Sequence, residues 1–421
     1  MFPHRRSRIP DWAIPLLYST LAIVAAVALP RIEHRFLPGF TADMSATAAM
    51  AIYTSVGSGM LALTGIVFAL AFLMVQFSAT AYSPRLVLWI SRDPVIWHAV
   101  GVFTATFLYA IGAIAWVDRN GSGKVPFLSV WLIFGLLLAS VAMFVALIQR
   151  ISLLQINRML TFIGDLGRQV IQATYSRLDA PASPVRPEEL GNLLVTQRLL
   201  HTGPPRALQA LDQKTLLTLG AKSGGVVQVV SAIGDTLVEG TVVALVLGGR
   251  QLIDEDVWNK TFEAGEERTF EQDPKYLIRL LVDIAIRALS PAINDPTTAV
   301  QALDQIQDLL LRLGNSRLES SALRDSEGAL RVVISNPTWE DFLRLAFDEI
   351  RFCGATSVQV MRRMRALISD LIDVSPKVRH EALRHHQKRL DSTIARSFVD
   401  IEERLEATIE DRQGLGVPRV D

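Results

Sequence analysis

Apolar residues run almost unbroken through four stretches near the start of the chain: Trp12–Ala28, Ala46–Val75, Val95–Val117 and Phe127–Ile148. A helix of about 20 apolar residues covers the hydrocarbon core of a bilayer. Only helices or closed barrels satisfy backbone groups there, and these runs are too long for barrel strands. The pattern predicts four transmembrane helices. The remainder of the chain lacks any comparable run.

The second stretch differs from the others. Its first half is rich in small residues, including Ala46, Ala51, Ser55, Gly57, Ser58, Gly59, Ala62 and Gly65. Its far end turns polar at Gln76, Ser78 and Thr80, and Ser83-Pro84 predicts the helix stop. The fourth stretch has no breaker after Ile148. Apolar residues recur at helical spacing through Ile156, Leu160 and Ile163, so one long helix is expected to leave the membrane and end near Tyr175. Pro181, Pro184 and Pro187 mark a linker.

From about Val195 to Gly249 the chain reads as strands, with β-branched runs such as Val226–Val230 and Val242–Leu247 and turns at Gly234-Asp235 and Glu239-Gly240. This segment resembles the half-barrel of biotinyl/lipoyl-type domains. It predicts a small β-barrel-like module without an attached cofactor, because no lysine occupies the tip between the turns. From Asp273 the pattern is helical. Helices are expected over 274–289 and 296–313, from Trp339 through Val358, and near 376–395 and 399–412, with a strand-like piece at Leu330–Ile334. The expected divisions are a membrane domain (1–150), a helical extension and linker (151–190), the β-rich module (191–272), a helical domain (273–413) and a disordered tail (414–421).

Between the first two of these helices lies Ser290-Pro291-Ala292-Ile293-Asn294-Asp295-Pro296. Ser290-Pro291 stops one helix. Asp295 can cap the next, and Pro296 suits its first position. Asn294 can hydrogen-bond backbone within the turn. The expected role is a structural joint.

Charge adds orientation. The chain is balanced at 42 basic and 42 acidic residues, but residues 1–150 hold ten Lys/Arg against five Asp/Glu. Arg5, Arg6, Arg8, Arg85, Arg92, Arg150, Arg158 and Arg168 fall on one side of the four-span topology, and Arg31, Arg35, Arg119 and Lys124 on the other. This bias places both termini in the cytoplasm. The first stretch is read as a retained span, since Leu29-Pro30-Arg31 is no cleavage site. The rest of the chain is mildly acidic, without basic runs interleaved with aromatics, so nucleic acid is not an expected partner. Cys353 is a lone cysteine, expected to be a buried small hydrophobe. His380, His385 and His386 sit on a basic helix expected to be exposed, and no phosphate loop, nucleotide fingerprint or metal signature is present.

The Ser-Pro-x-x-Asn-Asp-Pro joint resembles the hallmark of a family of bacterial membrane proteins known as DUF2254. The resemblance also takes in Gln76-Phe77-Ser78 with Ser83-Pro84-Arg85, Phe103–Tyr109 in the third span, and Glu267-Arg268-Thr269 before Asp273. It covers about Asp11 to Ile350 and departs at Thr297, where family members tend to carry an aromatic residue. It implies an architecture rather than an activity.

The function expected from these features is a homo-oligomeric inner-membrane pore or ion channel passing inorganic ions, with no enzymatic activity and no cofactor. The helix-packing or pore residues would be Gly57, Gly59, Gly65, Gln76 and Ser78. No carboxylate, lysine or arginine lies inside a span as bounded above, which disfavours a proton-coupled pump. The competing expectation is a non-conducting scaffold or envelope-stress sensor.

Overall fold

The computed structural model describes residue 10 and residues 12–36, 42–81, 94–119, 125–152, 156–180, 185–191 and 193–416. The helix stop at Ser83-Pro84, the continuity of the chain through 153–155 and the prolines at 181 and 184 lie outside these residues. The chain forms two compact units that divide between Arg158 and Met159.

The first unit is four helices: α1 (Ala13–Phe36), α2 (Ala46–Ala81), α3 (Pro94–Ile114) and α4 (Phe127–Ser152). Each is long and apolar enough to cross a membrane. Helix α3 is the centre of the unit and packs against the other three. Small residues make this possible. A Cβ on Gly101 would meet the Tyr18 ring at 2.7 Å, and one on Gly112 would meet the Ala26 methyl at 2.7 Å, so α1 lies directly on the α3 backbone. The inner face of α1 repeats as Ala22, Ala26, Pro30 and Glu33, all buried. Helical spacing thus carries the buried stripe past the apolar run and onto a carboxylate.

The second unit is mixed. It opens with α5 (Ile156–Thr174), whose Met159, Leu160, Ile163, Val170 and Ile171 are buried. After α6 (Pro187–Gly191) the order is β1 (Val195–Leu200), β2 (Arg206–Leu211), α7 (Gln213–Ser223), β3 (Val226–Val229), β4 (Thr236–Leu237), β5 (Val242–Leu247), α8 (Glu255–Trp258) and β6 (Phe262–Gly265). Then follow α9 (Pro274–Ala288), α10 (Pro296–Gly314), β7 (Ser321–Arg324), β8 (Leu330–Ile334), α11 (Trp339–Cys353), α12 (Val358–Val374), α13 (His380–Ser397) and α14 (Ile401–Ala407).

The expected small barrel does not form. The strands make an open five-stranded sheet, β1-β5-β3-β8-β7, and a separate three-stranded sheet, β4-β2-β6. Strand β3 pairs antiparallel with β5 (Val227 opposite Val246) and parallel with β8 (Val227 opposite Val332). The edge that would have closed a barrel is occupied by a strand from the helical half of the chain. The turns at Gly234 and Gly240 do form, with φ of +89° and +79° that glycine tolerates.

Three local differences have plain causes. The stretch read as all strand contains α7, capped by the Asp212 carboxylate at one end and by left-handed Gly224 at the other. The helix expected from Trp339 through Val358 breaks at Gly354, and Ser357 caps a new one. The tail expected to be disordered from Gly414 is held through Gly416: Asp411 accepts from the Gly414 and Gly416 amides at 2.9 and 2.7 Å. Residues 417–421 lie outside the described set.

Candidate functional site

The residues singled out on α2 divide between two faces. Gly57 is buried, and a Cβ there would touch the Ala110 methyl at 3.6 Å, so it serves packing inside the subunit. Gly59 and Gly65 are exposed, with nothing within 4 Å of the position a Cβ would take. Gly65 belongs to a stripe of exposed positions at alternating spacings of four and three: Ala51, Ser55, Ser58, Ala62, Gly65 and Ala69. The Ser58 hydroxyl donates to its own helix at Thr54 O, 2.8 Å away, which leaves an oxygen lone pair for another partner. Gln76 is exposed near the end of the same helix. Ser78 is also in α2, but its side chain lies outside the described residues.

The joint is an exposed turn. Helix α9 ends at Ala288, and the Ile293 and Asn294 amides both donate to Ser290 O at 3.0 and 2.8 Å. The Asp295 amide donates back to Ala288 O at 2.8 Å. Asn294 has a φ of +50°, a conformation asparagine tolerates better than most residues. The Asp295 carboxylate accepts from Thr298 N at 3.1 Å and from the Thr298 hydroxyl at 2.6 Å, and Pro296 takes the first helical turn. Pro291 and Asn294 are exposed, and Ser290, Asp295 and Pro296 are half-buried. The chemistry present is that of a turn and a cap.

Two other expectations change. Cys353 is exposed at the end of α11. His386 is buried, its ring edge-on to Phe347 with centroids 5.4 Å apart. Burial depresses its pKa to about 4, with Arg389, His385 and Arg351 acting in the same direction and Asp348 opposing. Among the described residues, no cluster of His, Cys, Asp and Glu is arranged to hold a metal.

The feature that hydropathy passes over is a polar group on each of the four helices, all at one end of the bundle. Glu33 near the end of α1 is 4 % exposed, Tyr53 near the start of α2 1 %, Tyr109 near the end of α3 0 %, and Ser129 in the first turn of α4 1 %. The Glu33 carboxylate accepts from two backbone amides at the start of α4, Phe127 N and Leu128 N, the second at 3.0 Å. Further along the bundle the Thr106 and Ser140 hydroxyls pair at 3.0 Å, and Tyr18 meets His98 Nδ1 at 3.3 Å. The unit is less apolar inside than its spans suggest. The one available signal was the Ala22-Ala26-Pro30-Glu33 spacing.

Two mycobacterial relatives, uncharacterized proteins of Mycobacterium bovis and Mycobacterium tuberculosis, are each 26 % identical over 330 residues, covering 75 % of this chain. The match covers 62 % of each relative's length. No solved structure matches the chain. The family model described as "Predicted membrane protein (DUF2254)" matches residues 10–370. Four apolar helices at the N-terminal end, the mixed unit after them and this match lead to one conclusion: the chain belongs to the DUF2254 family of membrane proteins.

Proposed function

We propose that the chain is the subunit of a homo-oligomeric pore for inorganic ions in a bacterial inner membrane, with both termini in the cytoplasm. The observation that supports this reading is the outward stripe of α2. Small residues let helices approach closely in lipid, where packing rather than the hydrophobic effect drives association. Ala51, Ser55, Ser58, Ala62, Gly65 and Ala69 face away from their own subunit. A ring of such helices would present hydroxyls and small apolar groups to a narrow path, a lining that conducts without intramembrane charge. The orientation rests on the arginine bias across the spans.

The test is reconstitution of the purified protein in planar bilayers, with single cysteines along α2 in a Cys353→Ser background. The reading expects unitary currents, crosslinks between subunits at 55, 58 and 62, and currents abolished by Gly65→Leu. Silent bilayers together with uncrosslinked α2 positions would remove it.

A further inference from the structure

Where α1 and α3 finish, two arginines share one aromatic ring. Gly112 lets α3 close on Ala26 of α1, and one turn later Trp116 stands beside Arg31. The Arg31 guanidinium lies 4.9 Å from the centre of the Trp116 ring, and that of Arg119 lies 4.1 Å from it. Two cations are therefore held around one point. The electron-rich ring attracts each of them. They still repel one another, and neither forms an ion pair with Asp118, Glu33 or any other carboxylate of the described residues. Glu33 is turned instead to the amides of α4. The adjoining segments 37–41 and 120–124 contain no aspartate or glutamate. A guanidinium keeps its charge at any physiological pH.

Arg31 is also turned the unexpected way. Long basic side chains near a span end ordinarily extend toward the interface. Arg31 donates to Val27 O, one turn back into the span, at 3.0 Å. It becomes the one charged residue lining a groove on the outer face of α1, whose other lining residues are Ile23, Val24, Val27, Ala28 and Ile32. Val24, Val27, Ala28 and Arg31 follow one another at helical spacing, so the groove runs along α1 and meets the arginines near its end. The bond to Val27 uses one of the five N–H donors of Arg31. Arg119 donates to nothing among the described residues.

We propose that Arg31, Arg119 and the α1 groove bind one anionic phospholipid, with its phosphate on the two guanidiniums and an acyl chain along Val24, Val27 and Ala28. The planar fork of arginine matches phosphate oxygens two at a time. A soluble anion would answer the charge and leave the groove bare. A zwitterionic lipid would fill the groove but bring a cation of its own to the arginines. An anionic lipid answers both, and a membrane protein of this family is surrounded by lipid. The site lies within one subunit, so it stands whether or not α2 lines a pore.

The experiment is native mass spectrometry of the full-length protein in detergent, titrated with phosphatidylglycerol or with phosphatidylcholine carrying the same oleoyl chains. Wild type should retain one phosphatidylglycerol at concentrations about tenfold below those needed for phosphatidylcholine. The Arg31→Gln, Arg119→Gln double variant should lose that preference. Both side chains are exposed, so the core is untouched. Arg119→Gln alone, a change beyond the end of α3, is the safeguard against misfolding and should also weaken the preference. Arg35→Gln removes an exposed cation from the same end of α1, one that lies over Phe36 rather than Trp116, and should change nothing. Equal retention of the two lipids by wild type would overturn the proposal, as would a preference untouched by Arg119→Gln. A loss in Arg35→Gln as large as in the double variant would mark diffuse surface charge and overturn it too. So would glycerol phosphate competing as well as the whole lipid, the sign of a free-phosphate site in which the groove has no part.

Discussion

Asp273 and Asp295 each precede a proline at the start of a helix, and each accepts an amide three residues on, Tyr276 N and Thr298 N, at 3.1 Å. Their second oxygens differ. That of Asp295 takes the Thr298 hydroxyl, whereas that of Asp273 is buried without a partner, and burial pushes the Asp273 pKa up. Asp295→Ala should lower the stability of the second unit by about 0.5–2 kcal/mol, the worth of an N-cap. Thermal melting reads this, and an unchanged melt would mean the cap contributes nothing. Both caps were legible because Asp-Pro is local chemistry. The burial of His386 was not, because its own helix looks basic and polar, while Phe347 and Asp348 that lie against it come from α11, remote in sequence. A histidine whose pKa falls from 6.5 to about 4 on folding takes up its proton more readily in the unfolded chain. Its contribution is full above pH 6.5 and is lost as the pH falls toward 4, by about 3 kcal/mol in all. His386→Leu should flatten the acid limb of the melting curve through that window, and a slope equal to wild type would assign acid sensitivity to other groups.

At the scale of the element, glycine content alone did not say which helix packs where. The sequence drew attention to the glycines of α2, yet Gly59 and Gly65 have open space beside them, while Gly101 and Gly112 on α3 hold α1 against the backbone. What a glycine faces depends on the partner helix, and a single sequence does not contain that register. The barrel failed for the same reason. Strands β3 and β5 were visible from their β-branched runs, but the parallel partner of β3 lies near Val332, far along the chain. Glu33 was missed because the hydropathy boundary was drawn at Ala28, although α1 continues to Phe36. The contrast between the two sets of glycines can be tested. Gly101→Leu drives a side chain into Tyr18 and should destabilise the bundle by about 1–3 kcal/mol, as overpacking does. Gly65→Leu should leave the melt of dispersed subunits unchanged. Equal loss in both would mean that Gly65 is packed within the subunit after all.

At the scale of the whole molecule, the division at Met159 has a physical basis in how the second unit builds its core. The two sheets together bury Leu199, Leu208, Val227, Val243 and Val332 with Leu216 of α7, all from that unit. Helix α5 finds its partner there too: Gly167 lets it close on Leu309, where a Cβ would come within 2.8 Å, and Arg168 pairs with Asp308 at 2.8 Å. Helix α5 thus meets α10 within this unit. A unit with its own core can fold alone. Residues 159–416 expressed without the four apolar helices should therefore be soluble, with mixed helix and strand by circular dichroism and one cooperative thermal transition. Sedimentation of that fragment then locates assembly. A monomeric fragment from an oligomeric full-length protein would place the subunit contacts in the membrane helices, where the α2 stripe is available. An oligomeric fragment would place at least some of them in this unit. Aggregation, or melting without a transition, would show that the second unit depends on the first to fold.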